Sequence, residues 1–198
     1  MKRFLTATAL ALTAVLALSA CGDTDAGTNT APRSSAAAAY NDADVTFAQQ
    51  MIPHHQQAVQ MSRMAKAHAS TKGVKELAAN IEKAQGPEID TMTRWLKDWG
   101  KDVPTGYTMG HGMGSMGDMP GMMSDQDMMG LDRVDGATFD RMFLTMMVEH
   151  HEGAISMARA EQANGKNADA VALARTIEDA QTAEVALMKS MLKALPQS

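Results

Sequence analysis

Two pairs of adjacent histidines, His54–His55 and His150–His151, stand 96 residues apart in this chain of 198 residues. Each pair has one methionine three residues before its first histidine and another seven residues after it: Met51, Met61, Met147 and Met157. Imidazole nitrogen and thioether sulfur are both ligands of transition metals, and thioether favours soft ions such as Cu(I). The repeated arrangement therefore predicts a metal site built from two similar halves.

One glutamate follows each histidine pair at the same distance, Glu88 in the first half and Glu184 in the second. If each half folds as a helical hairpin, the glutamate lies level with the first histidine of its pair. A buried carboxylate must then be satisfied, because leaving it unpaired costs several kcal/mol. Two interpretations stay open. One is a metal bound by imidazole, carboxylate and thioether, and the other is a structural His–Glu hydrogen bond completed by Gln85 and Gln181.

A glycine-rich segment between the two halves holds eight of the 19 methionines. The glycine content between Tyr107 and Gly130 predicts no regular helix or strand. A flexible backbone lets several sulfurs surround one Cu(I) ion. The ligands that we expect in this segment are Met109, His111, Met113, Met116, Met119, Met122 and Met123. The alternatives are a floppy linker and a methionine-rich patch that binds a partner protein.

The N-terminus carries the pattern of an export signal. Lys2 and Arg3 precede an apolar run of about 15 residues, shorter than the roughly 20 that a membrane-spanning helix needs. The Leu-Ser-Ala-Cys sequence that ends at Cys21 resembles the bacterial lipobox, which predicts a lipoprotein signal peptide over 1–20 and lipidation of Cys21. Residues 21–40 are mostly small and polar, so we expect a flexible tether. The alternative is an ordinary secreted protein with a free thiol.

The histidine pairs belong to an internal duplication, and this duplication determines the expected fold. A shift of 96 residues aligns 42–99 with 138–195 without a gap, and 19 of the 58 aligned positions are identical. Each copy has two segments in which apolar residues recur every three or four positions, which predicts two amphipathic helices joined by a turn. We therefore expect an all-α domain over 41–198, a four-helix bundle of two antiparallel hairpins joined by a Met/Gly-rich loop over 101–135.

The motif Met51–His55, followed by Ala58 and Met61 and later by Gln85–Leu96, resembles the domain of unknown function 305 family. The resemblance covers nearly all of 42–195. It implies a ferritin-like bundle outside the cytoplasm that handles copper through histidine and methionine. The copper ligands that it implies are His54, His55, Met51, Met61, His150, His151, Met147 and Met157. The second copy departs from the motif where Glu149 replaces proline.

Together these features predict a membrane-anchored, extracytoplasmic protein that sequesters, buffers or transfers copper and is not an enzyme. Cu(I) is the preferred ion and Cu(II) a second candidate, and we expect a partner protein that donates or accepts copper. The net charge of −5 argues against binding to nucleic acid. Two alternatives stay open. The first is a ferritin-like di-metal oxidase or iron-storage bundle, which typically needs Glu-x-x-His on two helices, and the second is a structural lipoprotein without metal.

Overall fold

The computed structural model describes residues 39–105 and 119–196. Within them the chain forms five helices: α1 (Asp42–His68), α2 (Lys72–Asp98), α3 (Asp125–Asp132), α4 (Gly136–Asn164) and α5 (Ala168–Ala194). None of these helices is long and apolar enough to cross a membrane.

Side-chain caps mark where three of the long helices, α1, α2 and α5, begin. The Asn41 side chain accepts hydrogen bonds from the N–H groups of Ala43 and Asp44, and the Asp44 carboxylate accepts one from the Asn41 N–H. The side chains of Thr71 and Asn167 accept main-chain N–H groups at the starts of α2 and α5. Such caps satisfy N–H groups that lack a helical partner, and each contributes about 1 kcal/mol.

Helices α1 and α2 form one antiparallel hairpin, α4 and α5 form the other, and the hairpins contact each other through α1 and α4. An equivalent ion pair joins the two helices of each hairpin. Arg63 Nε lies 2.9 Å from Glu82 Oε1, and Arg159 Nε lies 2.7 Å from Glu178 Oε1. The predicted four-helix bundle of two duplicated hairpins is confirmed.

The core consists of two apolar clusters with a polar layer between them. One cluster joins the C-terminal half of α1 and the N-terminal half of α2 to the N-terminal half of α4 and the C-terminal half of α5. The second cluster joins the four opposite halves. Helices α1 and α4 are therefore antiparallel. Between the clusters lie four fully buried histidines, His54, His55, His150 and His151, which we call the histidine layer.

A short helix follows the glycine-rich part of the loop, so the prediction of no regular structure between Tyr107 and Gly130 is wrong for α3. The Ser124 hydroxyl accepts the N–H of Asp127, and the Asp127 carboxylate accepts the N–H of Ser124. Met128 and Leu131 are fully buried in the first apolar cluster. This capping box and the two buried side chains form a helix because the glycines are concentrated before residue 122.

Candidate functional site

His54 on α1 and His150 on α4 face each other in the histidine layer. Their ring centroids are 3.7 Å apart, and the ring planes are inclined by 38°. His54 Nε2 lies 3.0 Å from the carbonyl oxygen of Pro120. Within residues 39–105 and 119–196, neither ring nitrogen of His150 has a hydrogen-bond partner, and neither has Nδ1 of His54. Buried polar atoms are normally hydrogen-bonded, so three unpartnered nitrogens at one place indicate a binding site.

Burial keeps both of these rings neutral. Removal from water lowers the pKa of His54 to about 3, and the neighbouring histidines add to the shift. Burial also lowers the pKa of His150 well below its usual value, again reinforced by the other histidines. Neutral imidazole is the form that binds metals, because protonation removes the lone pair. When His54 donates its Nε2–H to the Pro120 carbonyl, its Nδ1 presents a lone pair.

The second histidine of each pair is bonded to a glutamate. His55 Nε2 lies 2.7 Å from Glu88 Oε2, and His151 Nε2 lies 2.7 Å from Glu184 Oε2. The expectation that the first histidine lies opposite the glutamate is therefore wrong. Consecutive helix positions point about 100° apart, so the second histidine reaches its own hairpin partner while the first faces the other hairpin. The structural His–Glu hydrogen bond is thus made by the second histidine of each pair.

Gln85 and Gln181 lie one helical turn before these two glutamates and are buried as well. In the part of the chain that the structure describes, both side-chain amide atoms of Gln85 and the Oε1 atom of Gln181 have no hydrogen-bond partner. An unsatisfied buried polar group costs about 1–3 kcal/mol. The two glutamines therefore do not complete the hydrogen-bonded network that a purely structural interpretation requires.

The methionines of α1 and α4 divide into two sets. Met51 and Met147 are fully buried one helical turn before the first histidines. Met61 and Met157 lie two turns after those histidines, about 10 Å along the helix axis. All four methionines belong to the apolar clusters. The helix geometry therefore places Met51 and Met147 beside the histidine layer, and Met61 and Met157 farther from it.

The far end of the methionine-rich loop lies against the histidine layer. We call Met119–Met123 the strap. Its Pro120 carbonyl accepts the His54 N–H, and both main-chain polar groups of Met123 are bonded to the side chain of Gln57 on α1. Three of the predicted soft ligands, Met119, Met122 and Met123, thus belong to a segment that crosses the site. The remaining predicted residues of the loop and the lipidation site lie outside the described residues: Met109, His111, Met113, Met116 and Cys21.

Sequence reasoning missed the residues that hold the strap, Gln57 and Gly153. A Cβ atom at Gly153 would lie 2.0 Å from the Pro120 oxygen, so only glycine permits this approach. A signal was present in the duplication, because Gln57 and Gly153 occupy equivalent positions between the identical histidine pairs and the identical Ala58 and Ala154, and yet they differ.

The donors that meet at this layer are soft or intermediate in character. Among the residues that the structure describes, no group of three or more His, Cys, Asp or Glu side chains is arranged to hold a metal ion. The site offers a pair of neutral imidazoles, with thioethers one helical turn away. This donor set suits Cu(I) better than it suits Zn²⁺, Mg²⁺ or Ca²⁺.

Comparison with known proteins identifies the family. The family model for the domain of unknown function DUF305 matches residues 44–192. The chain belongs to the DUF305 family. This membership confirms the resemblance that the histidine motif indicates. Among proteins with curated descriptions, none matches this DUF305 chain.

Solved structures of the same fold include two proteins of note. A candidate secreted DUF305 protein from Streptomyces coelicolor is 33% identical, with a TM-score of 0.67, over 77% of this chain and 93% of that one. CopM in its Cu(II)-bound form is 32% identical, with a TM-score of 0.64, over 76% of this chain and 96% of that one. CopM in its Cu(I)-bound form matches at 30% identity with a TM-score of 0.63, over the same shares of the two chains.

Proposed function

We propose that this DUF305 protein binds copper, with Cu(I) as the preferred ion and Cu(II) as the second candidate. The observation that carries this proposal is the buried His54–His150 pair, which has three ring nitrogens without a partner among the described residues. The similarity to CopM, which has been solved with Cu(I) and with Cu(II), supports copper as the ion. The copper is cargo that the protein sequesters, buffers or transfers, and we propose no catalytic reaction.

The charges around the site favour a cation of low charge. The two facing imidazoles are neutral. Glu88 and Glu184 are hydrogen-bonded to the adjacent histidines, His55 and His151. These carboxylates compensate the charge of a bound ion without contacting it. A ferritin-like di-metal oxidase is a weaker candidate, because its centre uses four glutamates and two histidines as direct ligands.

We further propose that the protein acts outside the cytoplasm, held to the membrane by a lipid on Cys21. The signal-like N-terminus supports export, and so does the name of the Streptomyces coelicolor relative, a candidate secreted protein. A protein that donates or accepts copper in the same compartment is the expected partner.

The test is a Cu(I) titration of the mature protein against a competing chelator at neutral pH. We expect the double variant His54→Ala/His150→Ala to lose at least one copper equivalent per chain. His68→Ala is the control, because His68 bonds to Asp135 near the hairpin end, away from the histidine layer. An unchanged copper stoichiometry in the double variant would contradict the proposal.

The double variant also allows copper binding by the methionine-rich loop to be measured without the histidine pair. Thioether sulfur does not titrate, so any Cu(I) that remains bound by the loop in this background should persist at acidic pH. Replacing Met109, Met113 and Met116 with serine should remove it, whereas serine at the exposed Met129 of α3 should not. Acid-stable binding that survives the triple replacement would exclude these three sulfurs as ligands.

A further inference from the structure

The strap is bonded to two buried side chains of α1, His54 through Pro120 and Gln57 through Met123. Gln57 Nε2 donates to the Met123 carbonyl at 2.9 Å, and the Met123 N–H donates to Gln57 Oε1 at 2.8 Å. Gln57 is fully buried, so neither bond competes with water. A paired bond of this kind holds one residue of the strap in both position and orientation.

The strap also lies in direct contact with α4, where two glycines meet. A Cβ atom at Gly153 would lie 2.0 Å from the Pro120 oxygen and 2.8 Å from the Gly121 Cα atom. Gly121 has a φ of +76°, and a Cβ atom there would lie 2.5 Å from the Glu149 carbonyl and 3.0 Å from that of His150. The strap backbone thus passes over α4 at the level of His150, at a distance that excludes side chains at both positions.

The two anchor points are equivalent positions of the duplication. Gln57 and Gly153 stand 96 residues apart, and the preceding histidines, His54 and His150, are retained in both copies. One strap cannot contact both halves in the same way. The copies therefore differ at this position. On α1, Gln57 hydrogen-bonds the strap, and on α4, Gly153 lacks a side chain and lets the strap backbone approach.

The strap contacts the histidine pair directly at His54. The Pro120 carbonyl is bonded to His54 Nε2, and both histidines are fully buried. We propose that Gln57 and Gly153 are positioning residues that seat the strap as a cover over His54 and His150, and that solutes reach the pair when the strap lifts. For copper as the solute, this inference rests on the proposed function.

The first test needs no metal. Gly153→Ala and Gln57→Leu each remove one anchor, and Gly86→Ala is the matched control because a Cβ atom at this glycine of α2 meets nothing within 4 Å. Two rates are measured, hydrogen exchange of the Met123 amide and carbethoxylation of His54 by diethyl pyrocarbonate. We expect both anchor variants to raise both rates at least tenfold and Gly86→Ala to leave them unchanged. Wild-type rates in the anchor variants would overturn the proposal, and Gln57→Leu decides if Gly153→Ala does not fold.

The second test measures the rate of Cu(I) transfer from the loaded protein to a chelator. We expect both anchor variants to transfer copper at least tenfold faster than wild type with the same stoichiometry. If an anchor variant shows raised rates in the first test but transfers copper at the wild-type rate, the strap does not control access of the metal. A wild-type protein that binds no copper would overturn the proposed function, and the two metal-free rates would still decide whether the strap covers the histidines.

Discussion

Adjacent histidines in this protein have different surroundings because consecutive helix positions point about 100° apart. His54 faces its counterpart His150 across the contact between α1 and α4, whereas His55 turns toward α2 and is bonded to Glu88. Among the described residues, each of the four rings keeps an unpartnered Nδ1, but only the second histidine of each pair is also held by a carboxylate. Removing the one or the other should therefore have opposite effects on stability.

Replacing His150 with leucine should stabilise the metal-free protein and weaken copper binding. Neither ring nitrogen of His150 has a partner among the described residues, so burying this side chain costs free energy that burying a leucine of similar volume does not. We expect the free energy of unfolding to rise by about 1–2 kcal/mol. Urea denaturation of the metal-free protein at neutral pH measures this change, and a Cu(I) titration measures the loss of binding.

His151→Leu is the matched control, because it removes the partner of Glu184. We expect this variant to lose about 1–3 kcal/mol of stability. If His150→Leu destabilised the protein as much as His151→Leu does, His150 would have a structural role that the contacts do not indicate.

A second residue-scale feature is a pair of carboxyl groups at the turn between α4 and α5. Burial raises the pKa of Glu161 to about 8, and the adjacent Asp44 adds to the shift. Burial would also raise the pKa of Asp44, but hydrogen bonds from the main chain of Asn41, Asn167 and Lys166 lower it overall. At neutral pH Glu161 therefore holds a proton, and Asp44 carries the negative charge.

This pair predicts a loss of stability toward alkaline pH. The folded state binds the Glu161 proton more tightly than the unfolded state, so stability falls as the pH rises from about 4.5 to about 8. The glutamine of Glu161→Gln stays neutral, so this variant should lose less stability as the pH rises. Above the pKa of Glu161, its free energy of unfolding should exceed that of wild type by roughly 1–2 kcal/mol. Urea denaturation across this range checks the prediction. The exposed Glu149→Gln should keep the wild-type profile, and a persistent slope in Glu161→Gln would count against the assignment.

At the scale of elements, each hairpin caps the turn of the other. Asp140 of α4 accepts the Ser70 N–H at 3.0 Å, the Ser70 hydroxyl at 2.7 Å and the Thr71 N–H at 2.9 Å. Asp44 of α1 accepts N–H groups from the turn between α4 and α5, the shortest at 2.8 Å. Asp44 and Asp140 are equivalent positions of the duplication. The hairpins are thus joined at both ends by matched contacts.

Asp140→Ala should weaken the attachment of the two hairpins. The substitution leaves three donors of the first turn without their charged acceptor, and we expect the free energy of unfolding to fall by about 3 kcal/mol. Urea denaturation measures the loss. Asp179→Ala, at an exposed position of α5, is the control and should change stability by less than about 0.5 kcal/mol. Similar losses in both variants would mean that the cap contributes little.

At the scale of the whole molecule, the histidine layer lies where the two hairpins meet. His54 belongs to the first hairpin and His150 to the second, and their rings are in contact. An ion bound between them would join both halves of the duplication. Copper binding should therefore stabilise the entire bundle and not one hairpin.

Copper should raise the melting temperature of the wild-type protein and slow hydrogen exchange in both hairpins. Free Cu(I) at a hundredfold excess over its dissociation constant contributes about 2.7 kcal/mol, which corresponds to a shift of several degrees for a domain of this size. Calorimetry and hydrogen exchange under anaerobic conditions measure the two effects. His54→Ala should abolish both and His68→Ala neither. Protection confined to one hairpin would contradict a shared site.

The sequence by itself determined the local and repeated features of this protein. The helical periodicity and the 96-residue duplication can be read along the chain, so the hairpins and their bundle could be predicted. The types of the candidate ligands could be predicted as well, because imidazole and thioether chemistry belongs to the residue and not to the fold.

Only the tertiary structure decided which of these residues meet. The rotation of α1 about its axis relative to α4 brings His54 against His150, so that His55 faces Glu88 of α2. The periodicity of a single helix does not specify this rotation. The strap is bonded to Gln57 through Met123, which lies 66 positions later in the chain at the end of a glycine-rich loop. Such contacts arise when separate elements pack together, and for that reason they could not be deduced from spacing along the chain.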